Sequence, residues 1–215
     1  MKHLAPGITL LKRYGPYKNG CWLLSANGQA AVVEMPPYLA RERPPHVRVE
    51  SFTRRQKLQV KYALITHAHY DHCASLLHFR RAFPRATFVA HRSVAHSPSM
   101  QRWFGPPDYL DEVFDEGLWS SHLGGEPLHV IYAPKHSYTD HLVFFRGAVI
   151  AGDWVLGDLR DCNAFVSIEH KLESIARVRG ILRRLDYGVH MAFSGHGDHL
   201  FYDVDFDGLL ERSTR

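Results

Sequence analysis

Thr66-His67-Ala68-His69-Tyr70-Asp71-His72 places four side chains able to bind a metal, His67, His69, Asp71 and His72, within six consecutive residues. The run follows an apolar segment, residues 62–65, that reads as a buried strand. Imidazole and carboxylate suit zinc and related divalent ions, and no cluster of soft thiols accompanies them. In extended backbone, side chains two apart face the same way, so His67 and His69 can grip one ion together. Asp71 and His72 are neighbours and, where a helix begins, point elsewhere. The spacing suggests two ions side by side; a histidine-rich surface loop is the competing reading of this stretch taken alone.

Working outward, residues 71–83 carry Cys73, Leu76, Leu77 and Phe83 at helical spacing, and Pro84 ends the helix. Residues 86–90 return to strand. Strand, ligand loop, helix and strand form a βαβ unit, with the ligands at the C-terminal end of a strand, where α/β sheets present their chemistry. Upstream, residues 8–11, 21–25 and 29–33 read as strands, the last two joined by a hairpin through Asn27-Gly28, a pair suited to positive φ at both central positions. Residues 35–45, rich in proline, read as an irregular loop. Downstream, prolines and glycines break the pattern over residues 91–125, where Trp103, Phe104 and Trp119 are read either as core residues or as an apolar wall over the site. Residues 128–133, 141–145, 148–151 and 190–194 read as strands. Between Leu172 and Leu185 a helical stripe of Leu172, Ile175, Val178, Leu182 and Leu185 follows Ser167, a residue suited to the N-cap.

A length of 215 residues with 45% hydrophobic content suits one substantial core, and a single domain over residues 1–215 is expected. No apolar run approaches the ~20 residues that span a bilayer, and residues 1–14 lack the apolar centre of a signal peptide. Cys21, Cys73 and Cys162 are three in number and not closely paired, which points to reduced thiols and a cytoplasmic location. The formal charge of +4 is uneven: residues 41–61 hold seven basic side chains (Arg41, Arg43, Arg48, Arg54, Arg55, Lys57, Lys61) against Glu42 and Glu50, a local +5 that leaves −1 for the rest. Such a run is read as a solvated face before it is read as a nucleic-acid footprint.

A two-ion site needs further ligands from later strand ends. His136 follows the strand ending near Ala133, Asp153 closes Ala148-Val149-Ile150-Ala151-Gly152-Asp153, and His196 lies in Ser194-Gly195-His196-Gly197. Glycines beside Asp153 and His196 let the backbone turn sharply there.

With these residues in place the chain resembles the metallo-β-lactamase superfamily from the Asn-Gly hairpin to Gly197. Its T-H-x-H-x-D-H motif stands intact in residues 66–72. Pro134-Lys135-His136-Ser137-Tyr138-Thr139-Asp140-His141 is similar to the family's P-G-H-T-P-G-H loop, Gly152-Asp153 to its bridging aspartate, and Gly195-His196-Gly197 to its last histidine. The resemblance implies an α+β fold, an αββα sandwich of two mixed sheets flanked by helices. It also implies one ion on His67, His69 and His136, another on Asp71, His72 and His196, and Asp153 bridging them. Lys135 and Asp140 replace the usual glycines, and Glu34-Met35 stands where the family often has an aspartate and a small residue. His141 matches a family histidine that sits behind the ligands.

The expected activity is that of a dinuclear metallo-hydrolase on a small ester-like molecule, a thioester or lactone. The expected cofactors are two divalent ions, zinc first, with iron or manganese as alternatives. A hydroxide held between the ions would be the nucleophile, and Asp71 would shuttle a proton to the leaving group, as its family counterpart is thought to do. Lys135, Tyr138, Tyr70 and Arg160 are candidate substrate contacts. The alternatives are a one-iron oxidoreductase of the persulfide-dioxygenase type and a ribonuclease Z-like phosphodiesterase. For the second, residues 41–61 would be the footprint; nucleic acid is the less favoured partner and no membrane is expected.

Overall fold

Asn27 and Gly28 take φ of +42° and +80°, so the two-residue turn joins its strands as a hairpin. From there the first sheet is built in chain order in a computed structural model that describes residues 1–159 and 165–214. Its strands are β1 (Lys2–Ala5), β2 (Ile8–Tyr14), β3 (Asn19–Ala26), β4 (Gln29–Val33), β5 (Gln59–Leu64), β6 (Thr87–His91) and β7 (Glu112–Phe114). The first four run antiparallel, and β4 to β7 are parallel, with α1 (Pro45–Arg55), α2 (Tyr70–Cys73), α3 (Leu76–Ala82), α4 (Arg92–Ala95) and α5 (Pro98–Phe104) in the crossovers. The second sheet has the order β13-β12-β11-β10-β9-β8, from β8 (Leu118–Leu123), β9 (Glu126–Tyr132), β10 (His141–Phe145), β11 (Ala148–Ile150), β12 (Met191–Phe193) and β13 (Leu200–Tyr202). Only β11 and β12 pair in parallel, because α6 (Ile168–Arg184) lies between them; α7 (Phe206–Arg212) follows β13. Two mixed sheets flanked by helices make the α+β sandwich.

Alternation along the strands sorts the side chains into three apolar layers. Trp22, Leu24, Val33 and Leu64 meet Val130, Val143, Phe145 and Phe193 between the sheets. Cys21, Leu23 and Val32 face outward under Val49, Phe52, Leu76 and Phe79 of the helices. On the far side Ile175, Val178, Ile181 and Leu182 of α6 cover Ile131, Phe144 and Val149. Each such side chain contributes about 1.5–3 kcal/mol on burial, so the layers dominate the fold. Ser167 caps α6 by accepting from the His170 N–H.

Several elements differ from expectation. The helix expected over residues 71–83 is two short ones, because Ser75 donates through its N–H to the Met35 carbonyl and through its hydroxyl to the Pro36 carbonyl. Leu172 is exposed, the buried stripe of α6 running instead through Lys171, Ser174 and Ile175. Trp119 is no lid: it lies in the layer between the sheets and donates to Glu112. Strands β1, β7, β8 and β13 and helices α4, α5 and α7 have no counterpart in the sequence reading. Cys21 and Cys73 are buried free thiols; Cys162 lies outside the described residues. Among the described residues no helix is long and apolar enough to cross a membrane.

The sheets are stitched where the site forms. The His141 N–H donates to the Thr66 carbonyl at 2.6 Å, and the Ala68 N–H to the Thr139 hydroxyl at 2.9 Å. The Gly195 carbonyl accepts from the Gly20 N–H and the Trp22 indole, while the Gly195 N–H reaches Gly152. The loops after β5, β9, β11 and β12 therefore converge on one edge of the sandwich.

Candidate metal centre

Beyond β5 the backbone stays extended to His69, with φ −85° and ψ 148°, and His67 and His69 come together as the period of two requires. Nε2 of His67 lies 2.9 Å from Nδ1 of His69, and Nε2 of His136, from the loop after β9, lies 3.3 Å from that same Nδ1. Oδ2 of Asp153, just past β11, completes the group at 3.9 Å from His67 Nε2 and 3.6 Å from His136 Nε2. Asp71 and His72 open α2 and turn to a second group. There Asp71 Oδ2 lies 3.6 Å from His72 Nε2 and 3.5 Å from His196 Nε2. The other oxygen of Asp153, Oδ1, is 3.3 Å from His72 Nε2 and 3.4 Å from His196 Nε2.

These separations test whether the donors fit an ion. Metal–nitrogen bonds of ~2.0–2.1 Å in a tetrahedron set donor atoms about 3.3 Å apart. The observed 2.9–3.9 Å brackets that edge. His72 Nε2 and Asp153 Oδ1 are moreover buried without a hydrogen-bond partner, although a buried polar atom is costly unless something meets it. Each group could therefore hold a divalent cation, with Asp153 between them.

Behind the donors the sequence supplies supports. Glu34 is wholly buried at φ +70°, accepts from the Thr66 hydroxyl, and sets Oε1 3.2 Å from His72 Nδ1. A carboxylate behind an imidazole fixes the ring and leaves its other nitrogen facing forward. His196 is turned the same way by the Tyr17 carbonyl, 2.9 Å from its Nδ1. Asp140 organises the loop of His136: Oδ2 accepts the N–H groups of Lys135, His136 and Ser137 at 2.9, 2.6 and 2.8 Å, and Oδ1 the Ser137 hydroxyl. His141 accepts the His91 N–H on Nε2 and is buried, so its place behind the ligands is structural. At Gly152, φ +59°, a Cβ would come within 2.7 Å of the Thr66 hydroxyl, which closes that position to larger residues.

The electrostatics follow the geometry. Burial alone would raise the Asp153 carboxyl; the imidazoles of His196 and His72 pull it far below the carboxylate range. Burial would lower His72, but Glu34 and Asp153 hold it well above its ordinary value. His67, buried among the other histidines, is pushed well down. Burial, with His91 near, takes His141 to about 3.

The expected substrate contacts are more scattered. Tyr70 is exposed with its ring edge-on to Trp103, and Tyr138 is exposed beside His170. Lys135 does not reach outward: it is wholly buried, with Nζ donating to the Val155 carbonyl at 2.9 Å and lying 5.6 Å from the Trp154 ring centre. Arg160 lies outside the described residues. None of the basic side chains of residues 41–61 lines the cavity beside the donors. That cavity, of about 380 Å³, opens on His136, Asp153 and His196 and continues along Trp154, Leu156 and Phe201. In the sequence Glu34 and Asp140 stand out only as departures from the family pattern, an acid in place of glycine at 140 and glutamate in place of aspartate at 34, and their supporting roles follow from the fold.

A family model described as the metallo-β-lactamase superfamily matches residues 21–200. Among solved structures, a metallo-β-lactamase from Pontibacter korlensis superposes with a TM-score of 0.71 at 15% identity, covering 99% of this chain and 95% of that one. A metallo-β-lactamase family protein from Thermus thermophilus gives 0.65 at 20% identity, over 99% and 79% of the two chains. ETHE1 from Myxococcus xanthus gives 0.66 at 16% identity, over 96% and 84%. At these identities the likeness is one of fold. Among curated proteins none matches.

Proposed function

Because this chain belongs to the metallo-β-lactamase superfamily, we propose that it is a dinuclear metal-dependent hydrolase of a small ester-like substrate, a thioester or lactone, with zinc as the first choice of metal. The observation that carries the reading is Asp153, whose two oxygens face different donor groups, Oδ2 towards His67 and His136 and Oδ1 towards His72 and His196. In this reading His67, His69 and His136 hold one ion, Asp71, His72 and His196 the other. Two bound ions would supply Lewis acidity and acidify water. The protein contributes placement and proton handling. Asp71, part-exposed like His196 in its group, takes a proton and returns it to the leaving group. Glu34, Asp140 and the Tyr17 carbonyl keep the imidazoles aimed, so that little is reorganised during reaction. Tyr70 and Tyr138 stand as rim contacts for substrate. The free thiols of Cys21 and Cys73 suit a reducing, cytoplasmic setting.

A second reading takes the first group alone. His67, His136 and Asp153 make two imidazoles and one carboxylate, a set that also suits a single non-haem iron. It leaves His69 of that group, and Asp71, His72 and His196, without a role, which is why it ranks second. Elemental analysis of purified protein with a panel of thioesters, lactones and phosphoesters separates the two. About two ions per chain with turnover of an ester or thioester is expected; one iron with oxygen uptake would overturn the hydrolase reading.

A further inference from the structure

We propose that the cavity beside Asp153 is a subsite for an uncharged alkyl chain, which narrows the substrate to neutral alkyl lactones or esters; the inference rests on the hydrolase reading above. The wall begins in the same stretch as the shared carboxylate: Asp153 is followed directly by Trp154-Val155-Leu156, and all four line the cavity. Its other side is β13, where Phe201 stacks on His199 with ring centres 6.1 Å apart and planes 7° from parallel. The wall is fixed from behind. The Trp154 indole donates to the Ala133 carbonyl at 2.9 Å, and Lys135 holds the Val155 carbonyl.

Val155 and Phe201 are 38% and 46% exposed, apolar surface turned to a concavity rather than scattered singly. A volume of about 380 Å³ lies within the usual range for small-ligand sites. Among the described residues no lysine or arginine lines it; its charged side chains are Asp153 and, at the rim, Asp198. Asp198 accepts from the Ser194 hydroxyl and the His199 N–H and is paired with Arg13 at 3.6 Å. A substrate tail bearing carboxylate or phosphate would meet no lysine or arginine among the described lining residues, whereas a hydrocarbon chain meets Trp154, Leu156 and Phe201. The reacting carbonyl would then lie over the donors with its chain directed past Asp153.

The test is a γ-lactone series from butyrolactone to decalactone on the metal-loaded protein. The expected result is a kcat/KM that rises about fourfold per added methylene until the cavity is filled. A chain of the same length ending in carboxylate gains nothing. Phe201→Ala lowers the ratio of long-chain to short-chain kcat/KM about tenfold, and Phe201→Lys shifts preference towards the carboxylate-ended chain. A flat profile on an enzyme that hydrolyses butyrolactone overturns the subsite and leaves the hydrolase reading standing. If no lactone, ester or thioester of any length turns over, the hydrolase reading fails, and binding decides the subsite by itself. Quenching of tryptophan fluorescence by decalactone, lost in Trp154→Phe and weakened in Phe201→Ala, supports it. Quenching that ignores chain length refutes it.

Discussion

The two donor groups share Asp153 but are held very differently. His67 and His136 have side chains 0% and 6% exposed, and the loop of His136 is clamped from within by Asp140. In the other group Asp71 and His196 are 19% and 20% exposed, and His196 is aimed by the carbonyl of Tyr17, a residue on an exposed turn. Only His72, between Glu34 and Asp153, is buried there. Apart from part-buried His69, the histidines of the first group are set by the interior of the fold, and the second group is completed by its surface. Unequal preorganisation means unequal retention, so chelation should empty the second group first.

The strongest way to break the comparison is to remove what both groups share. Asp153→Ala is expected to lower occupancy of both by elemental analysis and to cut metal-dependent turnover on the order of a thousandfold. Full retention of either ion would end the case for sharing. A sharper pair follows. Asp140→Ala and Glu34→Gln should each weaken metal affinity by about 10–100-fold, the former in the first group and the latter in the second. Chelator competition on the cobalt-substituted protein distinguishes them. If both variants lose the same ion, the groups are not independently supported. Asp140→Ala also strands three backbone donors and should lower stability by about 1–3 kcal/mol in urea unfolding.

The smallest effect probes the surface turn. Glu42 accepts the N–H groups of Gly15 and Leu39 and pairs with Lys12 at 2.9 Å, anchoring the start of the turn that carries Tyr17. Burial would raise its carboxyl, but these donors bring it from 4.5 to about 2. A pKa lower in the folded than in the unfolded state stabilises above about pH 4.3, and that stabilisation is lost as pH falls towards 2. Glu42→Gln should therefore be about 1 kcal/mol less stable at pH 7, with the gap closing between about pH 4.3 and 2. A gap that persists at low pH would show that the charge is not responsible.

The difference between the groups also explains what the sequence made legible. Ligand residues are conspicuous by type and spacing: His67, His69, Asp71 and His72 announce themselves, and His136, Asp153 and His196 sit at strand ends readable from apolar runs. Their supports are not local. Glu34 meets His72 only after β4 and β5 pair in parallel, and the carbonyl that aims His196 comes from Tyr17, nearly the whole chain away. Asp140 was visible only as a departure from glycine, since its task is to gather backbone N–H groups that carry no sequence signature. The break between α2 and α3 is likewise imposed by Met35 and Pro36 through space. Three-residue β13 and seven-residue α7 are too short for their periodicity to stand out.

The order of strands has a consequence for assembly. Every strand of the first sheet precedes every strand of the second, and residues 115–117 join them. Each proposed ion draws donors from both halves, His67 and His69 with His136, and Asp71 and His72 with His196, while Asp153 serves both from the second half. A bound ion is thus a cross-link between two contiguous fragments, and neither fragment owns a complete coordination set. Cleaving the chain at residues 115–117 should yield halves whose reassociation tightens when divalent metal is added. The same dependence would make docking of the sheets, rather than formation of either sheet, the step at which the chain acquires its metal.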